Sequence, residues 1–156
     1  MQPLSTVFTC LIVLQFLAVT GHDWVDIPGW THDSQVQATV GRPKLALATL
    51  INAIFPGAAV ALALYFWNKP KPGLVSGYWI LYCAVTLGSA IAMWYVPYLG
   101  GASSEKKRDY LRMYAGTQQL LPPRGDNPRP NLLHVCFHLL FLVNLVLVLV
   151  LRWQST

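Results

Sequence analysis

Residues 131–151 read NLLHVCFHLLFLVNLVLVLVL, a stretch apolar enough to cross a lipid bilayer as a helix. A bilayer core needs about 20 mostly apolar residues in helical form. Two histidines, His134 and His138, lie inside the stretch at a spacing of four residues. Four residues turn a helix by about 400°, so the two imidazoles lie about 40° apart on one face. The stretch therefore predicts a membrane span that carries polar groups on one side.

Three further stretches meet the same requirement, at about residues 4–20, 45–67 and 74–99, and the last span is predicted at about 132–153. Of the 156 residues, 54% are hydrophobic and 11% are charged, whereas a soluble domain carries about 25% charged residues. We therefore expect an all-α integral membrane protein with a single domain over residues 1–156, built as a four-helix transmembrane bundle. A cleaved signal peptide is the alternative for the first span, but that span lacks the Lys or Arg that a signal carries at its start.

Two longer polar segments, at about residues 20–44 and 100–130, join the first span to the second and the third to the fourth. Because consecutive spans alternate in direction, both segments are expected at the same end of the bundle. They carry most of the cations: Arg42, Lys44, Lys106, Lys107, Arg108, Arg112, Arg124 and Arg129. The positive-inside rule then predicts that both long loops are cytoplasmic and that both termini lie outside.

The second long segment contains SEKKRDYLRMYAGTQQLL from Ser104 onward, which predicts a short amphipathic surface helix before the last span. A serine cap, an early glutamate and apolar residues near one face (Tyr110, Tyr114 and Leu121) support this prediction. Its basic residues would suit anionic headgroups, so the lipid bilayer is the expected partner. Nucleic acid is not expected, because the net charge of +5 comes from a few cations that flank apolar spans.

The histidines are the polar residues that most need an explanation. All four of them fall at the loop end of the predicted bundle, together with three aspartates. Imidazole and carboxylate groups together suit acid–base chemistry near neutral pH. The candidate catalytic residues are His134, His138, Asp23 and Asp26.

The same histidines are also candidate metal ligands. Two histidines at i and i+4 can chelate a transition metal, and an aspartate can complete the coordination sphere. The predicted ligand set is His22, His32, His134 and His138. A transition metal is therefore an open hypothesis, the cofactor is otherwise unidentified, and ordinary hydrogen bonding across the bundle is the alternative.

Further polar side chains follow helical spacing and predict a substrate-binding lining. Tyr78 and Tyr82 lie on one stripe of the third span, and Arg129 at the mouth of a pocket would hold a carboxylate or phosphate. The alternatives are hydrogen bonds between helices for the hydroxyl groups and headgroup contact for the arginine. The predicted substrate-binding residues are Tyr78, Tyr82, Asn52, Asn131 and Arg129.

These patterns favour a small membrane-embedded enzyme that acts on a lipophilic small molecule with a His/Asp cluster near one membrane face. The alternative is an accessory or assembly subunit of a larger membrane complex, in which the polar residues serve helix packing. A solute carrier ranks third, since four spans would require a dimer; a homo- or hetero-oligomer is open in each case. The sequence lacks the phosphate-binding loop, the Rossmann glycine pattern, the nucleophile elbow and the HExxH motif, which argues against those enzyme classes.

Overall fold

The computed structural model describes residues 2–153, and in this part of the chain every regular element is helical. Helix α4 continues through a π-helical turn, Ile91–Tyr95, into α5, so the three pieces form one long rod. An isolated bridge between Gln119 and Asn131 is the only β-type pairing in the described residues. The helices are α1 Gln2–Gly21, α2 Asp33–Val40, α3 Arg42–Tyr65, α4 Gly73–Ala90, α5 Val96–Gly100, α6 Ser104–Tyr114 and α7 Leu132–Trp153.

Four helical stretches are long and apolar enough to cross a membrane: Pro3–Gly21, Arg42–Tyr65, Gly73–Gly100 and Leu132–Trp153. Their bounds lie close to those predicted from hydropathy, so the four expected spans are confirmed as helices. The cytoplasmic placement of the long loops stays a prediction. The ends of the predicted single domain, residue 1 and residues 154–156, lie outside the described residues.

The four long helices are not equally close to one another. α1 contacts both α3 and α7, and α7 contacts α4, whereas α3 and α4 touch less extensively. The short turn at residues 66–72 joins α3 to α4. On this side of the bundle, hydrogen bonds from side chains of α4 to backbone carbonyls of α3 hold the two helices together. Tyr78 donates a hydrogen bond to the carbonyl of Phe55 at 2.8 Å, and Trp79 Nε1 donates one to the carbonyl of Ala59 at 3.1 Å. Away from the turn, a cleft remains between α3 and α4.

The bundle therefore has two halves, which we call the turn half, towards residues 66–72, and the loop half, towards the two long segments. The apolar core occupies the turn half. Ala59 and Ala63 are fully buried, and these small side chains allow α3 to approach closely. The rings of Phe8 and Trp79 meet edge to face, with centroids 5.2 Å apart. The buried cluster consists of Phe8, Ile12, Ala59, Ala63, Trp79, Tyr82, Cys83, Val148 and Leu151.

The two long segments are ordered and pack on each other across the loop half. The backbone N–H of Gln118 donates to the carbonyl of Gly29 at 2.7 Å, and Asn131 Nδ2 donates to the carbonyl of Trp30 at 3.1 Å. The first segment, predicted only as a polar loop, contains the two-turn helix α2. These contacts bring both long loops to the same end of the bundle, as the span count predicted.

The predicted surface helix is present as α6, but two details of the prediction were wrong. Its cap is Ser103, whose Oγ accepts a hydrogen bond from the backbone N–H of Lys106 at 3.2 Å. The helix ends at Tyr114, so Leu121 lies outside it. Gly116, which follows with a φ of +80°, reverses the chain in the left-handed region that favours glycine.

Candidate functional site

Two cavities lie in the loop half of the bundle. The larger has a volume of about 740 Å³ and is lined mainly by apolar residues of α3, α4 and α7. The smaller has a volume of about 10 Å³, enough for about one water molecule. The smaller cavity is more polar and lies between the end of α1, the start of α2, α6 and the start of α7. An apolar chamber and a polar chamber thus lie side by side.

Five side chains line both cavities and form the wall between them: His22, Asp23, Val36, Tyr114 and His134. Four of the five are polar, and they come from α6, α7 and the segment that follows α1. His32 lines only the smaller cavity, and His138 lines only the larger. The structure therefore brings the four histidines to one end of the bundle and distributes them between two adjoining chambers.

His134 is held by Asn131 in one orientation. The Asn131 carboxamide is fixed because its Nδ2 donates to the carbonyl of Trp30, which can only accept. Asn131 Oδ1 therefore accepts, both from the backbone N–H of His134 at 3.0 Å and from its ring Nδ1 at 2.7 Å. The ring proton lies on Nδ1, and the lone pair of the neutral imidazole is left on Nε2. Asn131, predicted to bind substrate, acts in the structure as the residue that positions His134.

The π-helical turn places two consecutive aromatic residues against α7. Trp94 lies on His134 with ring centroids 4.1 Å apart, and Tyr95 Oη is 3.2 Å from His138 Nδ1. In an α-helix consecutive side chains diverge by about 100°, and the wider π turn reduces that angle. Aromatic residues near the end of a membrane span are also typical of the interfacial belt, so residue type alone does not indicate a contact with α7. The hydropathy of the span carries no signal for the π turn, so this contact was missed.

His22 and Asp23 form a pair at the end of α1. His22 Nε2 is 3.4 Å from Asp23 Oδ1, and His22 Nδ1 is 3.0 Å from the carbonyl of Val19. The His22 ring also meets the His134 ring edge to face, with centroids 5.8 Å apart. Two predicted site residues from opposite ends of the sequence are thereby in direct contact.

Asp33 is the most deeply buried carboxyl group at this end of the bundle, and the sequence prediction did not select it. Its side chain lines the smaller cavity at 3% exposure, and its Oδ2 has no hydrogen-bond partner in the described chain. Burial and the nearby carboxylates of Asp26 and Asp23 raise the pKa of Asp33 to about 6, while His22 and a hydrogen bond with Thr31 oppose the shift. Its position in the first turn of α2, facing inward with Val36, was the available sequence signal.

Tyr114 contributes a second polar group to the wall. Burial raises its pKa above the ordinary tyrosine range, and the negative charge of Asp23 acts in the same direction. The hydroxyl therefore stays protonated and is available as a hydrogen-bond donor. The Tyr114 ring also packs on Trp94, with centroids 5.4 Å apart, so α6 covers the site rather than lying apart on the surface.

The remaining predicted residues divide into two groups. Asn52, Tyr78 and Tyr82 line the larger cavity, where a substrate-binding role stays a prediction. Two others line neither cavity. Asp26 is exposed, and Arg129 donates from its guanidinium to the carbonyl of Leu121 at 2.8 Å.

A metal site receives no support from the geometry. Within residues 2–153, no group of three or more His, Cys, Asp or Glu side chains is arranged to hold a metal ion. The rings of His22, His134 and His138 meet aromatic neighbours instead of converging on one point. The donor set thus does not fit a metal ion, and the ligand set His22, His32, His134 and His138 stays an unsupported prediction.

Comparisons with protein-family models, with curated proteins and with solved structures found no significant match to this chain. The candidate site is therefore interpreted from its own geometry and chemistry.

Proposed function

We propose that this protein is a membrane-embedded enzyme that binds a lipophilic small molecule in the larger cavity and acts on it by acid–base chemistry. The observation that carries the proposal is the cavity itself: about 740 Å³ of mostly apolar space that ends at His134, His138 and Tyr114. Small-molecule sites are typically concave and apolar, with a few convergent polar groups that fix orientation. The cleft between α3 and α4 provides an entry from the bilayer.

His134 is the proposed general base. Asn131 binds Nδ1, so Nε2 is the nitrogen with a free lone pair, and the ring lines both cavities. A base on the wall between an apolar and a polar chamber can take a proton from a ligand on one side and release it to the other. The His22–Asp23 pair, which also lines both chambers, is suited to carry that proton to the loop end.

His138 and Tyr95 are the proposed second acid–base pair. The tyrosine hydroxyl lies 3.2 Å from His138 Nδ1, within hydrogen-bond distance. His138 lies one helical turn below His134 on α7, with ring centroids 6.3 Å apart. Two titratable groups at this separation can address neighbouring atoms of one ligand, as proton removal at one atom and proton addition at the next require.

An accessory subunit of a larger membrane complex is the second candidate function. One observation favours it: Tyr82, Gln15 and Asn144 form a buried chain of hydrogen bonds between helices, which is a packing role. This alternative predicts that a second polypeptide copurifies with the protein at fixed stoichiometry. The enzyme proposal predicts that a small molecule copurifies with it.

The test is extraction and mass spectrometry of the small molecules that copurify with the protein in mild detergent. Val85 lines the larger cavity, and Val143 on α7 lines neither chamber although it is similarly exposed to lipid. We expect Val85→Trp to lose a compound that the wild type and Val143→Trp retain. Equal retention by both tryptophan variants would contradict a ligand in this cavity.

The enzymatic step is tested with His134→Gln, which keeps an amide in place of the ring base. If His134 acts on the ligand, the variant retains unconverted substrate, and the mass profile of its bound compound differs from that of the wild type. An identical compound in both proteins would reduce the proposal to binding without catalysis. A second chain at fixed stoichiometry, with no small molecule, would favour the accessory-subunit alternative.

A further inference from the structure

One oxygen of the Asp33 carboxylate, Oδ2, lacks a hydrogen-bond partner in the described chain, and no cationic side chain there forms an ion pair with the group. The Asp33 side chain is 3% exposed. The ion pairs of residues 2–153 are His22–Asp23, Lys107–Asp126 and Arg112–Asp109, and none of them includes Asp33. Buried charges in proteins are normally paired, because an isolated charge is costly to remove from water. Asp33 thus has the environment of one half of an ion pair.

The cavities beside this carboxylate have no lysine or arginine in their described lining, and the His22 imidazole there pairs with Asp23. The acidic residues Asp23 and Asp33 both line the smaller one. An anionic ligand would find no counter-charge at this site, and a neutral ligand would leave the Asp33 charge uncompensated.

The size of the smaller cavity limits the group that fits beside Asp33. Its volume of about 10 Å³ admits one water-sized group, which is also the size of an ammonium group. An ammonium has three N–H donors, and Asp33 Oδ2, at this cavity, is an acceptor without a partner in the described chain. The apolar chamber adjoins this cavity, since His22, Tyr114 and His134 line both, so one ligand can extend from the smaller cavity into the larger.

We propose that the polar group of the ligand is a protonated primary amine, which pairs with Asp33 in the smaller cavity while the hydrocarbon part occupies the larger one. This inference rests on the proposed function, because it assumes that a lipophilic ligand binds in the larger cavity. Alkyl amines resemble the lysine side chain and are charged at neutral pH. The ligand then supplies an ammonium group to a carboxylate whose cavity has no lysine or arginine in its described lining and whose neighbour His22 pairs with Asp23.

The test uses three probes with one hydrocarbon chain and different head groups: dodecylamine, dodecanol and dodecanoate. The purified protein in phosphatidylcholine nanodiscs is titrated with each probe at pH 7.5, and binding is counted above that to empty nanodiscs. We expect dodecylamine to bind at least tenfold more tightly than the other two. Asp33→Asn should lose at least tenfold in dodecylamine affinity and leave dodecanol binding unchanged.

Asp126→Asn is the matched control, because Asp126 is an exposed carboxylate that pairs with Lys107 and lines neither cavity. Its affinity for all three probes should equal that of the wild type. A melting curve of Asp33→Asn in the same nanodiscs verifies that the variant is folded. We expect its melting temperature to be at least as high as that of the wild type.

Two outcomes would overturn the inference. Equal binding of the three probes, all blocked by Val85→Trp, would support the cavity as a ligand site and reject the amine. Binding of no probe above the Val85→Trp level would also reject the amine. The proposed function is decided separately, by the copurified compound and its loss in Val85→Trp.

Discussion

The turn half and the loop half of the bundle use the same four helices in opposite ways. In the turn half, small residues and interlocking rings remove free space, and Trp79 is 1% exposed. In the loop half the helices separate around two cavities, and the carboxyl group of Asp33 is buried beside the smaller one. The role of a polar residue in an apolar helix therefore depends on its neighbours. Hydrogen bonds between helices account for Gln15 and Asn144 beside the core, whereas we propose a chemical role for the polar groups beside the cavities.

The boundary between the halves is a chain of three polar side chains. Gln15 Nε2 donates to the Tyr82 hydroxyl at 2.8 Å, and Asn144 Nδ2 donates to Gln15 Oε1 at 2.5 Å. These bonds join α1, α4 and α7 at one level of the bundle. Tyr82 also lines the larger cavity, so one residue belongs to both halves.

The largest effect is expected from Asn131→Ala in the loop half. The substitution leaves the N–H of His134, its ring Nδ1–H and the carbonyl of Trp30 without their partner. Loss of a cap and of two buried hydrogen bonds should cost about 2–4 kcal/mol in the free energy of unfolding. Titration with sodium dodecyl sulfate, followed by tryptophan fluorescence, measures this loss.

The control for that substitution is Asn68→Ala, the same change in the exposed turn at the other end of the bundle. It should be nearly neutral. If Asn131→Ala reduces the free energy of unfolding as little as Asn68→Ala does, the Asn131–His134 contact does not hold the loop half together.

A smaller effect is expected from Gln15→Leu at the boundary. Gln15 is fully buried, and its removal leaves Asn144 Nδ2 and the Tyr82 hydroxyl short of one partner each. Hydrogen bonds between membrane helices are worth about 0.6 kcal/mol on average and about 1.7 at most, so we expect a loss of about 1–2 kcal/mol in the same titration. The double variant Gln15→Leu/Asn144→Leu should recover part of it; no recovery would show that the two side chains are not coupled.

The smallest effect, of opposite sign, is expected from Asp33→Asn. The folded protein holds the Asp33 proton more tightly than the unfolded chain, since its pKa of about 6 exceeds the ordinary 3.8. The contribution of Asp33 to wild-type stability is therefore present below about pH 4 and is lost as pH rises through about 6. Asparagine cannot ionise, so the free energy of unfolding of the variant should match that of the wild type at pH 4. At pH 7.5 it should exceed the wild-type value by about 1 kcal/mol, which is less than the full shift implies because water reaches the cavity. The other ionisable groups around Asp33 are His22, Asp23, Asp26, His32, Tyr114 and His134.

Melting curves at the two pH values measure this difference, with Asp126→Asn as the control. Asp126 is exposed, and its hydrogen bond with Lys107 lowers its pKa, so its removal should change stability little and without the same dependence on pH. If Asp33→Asn is less stable than the wild type at pH 7.5, a positive group within the protein compensates the charge of the carboxylate.

The helices, and the end of the bundle at which the polar residues gather, follow from hydropathy and from the number of spans. Long apolar runs form helices in lipid because every backbone N–H and C=O must be satisfied within the segment, so hydropathy predicts the spans directly. Counting the spans then placed both long segments, and with them His22, His32 and His134, at one end. The i, i+4 spacing of His134 and His138 likewise fixed their shared face of α7.

Which of these polar residues face one another depends on the packing of the helices and loops. Tertiary packing places Trp94 and Tyr95 of the π turn against α7. It also buries Asp33 and leaves Asp26 and Arg129 outside both cavities. The contacts at this end join residues far apart in sequence, by 43 positions for Tyr95 and His138 and by 101 for Trp30 and Asn131. Local propensity and hydropathy describe each segment alone, whereas the site forms where segments distant in sequence meet.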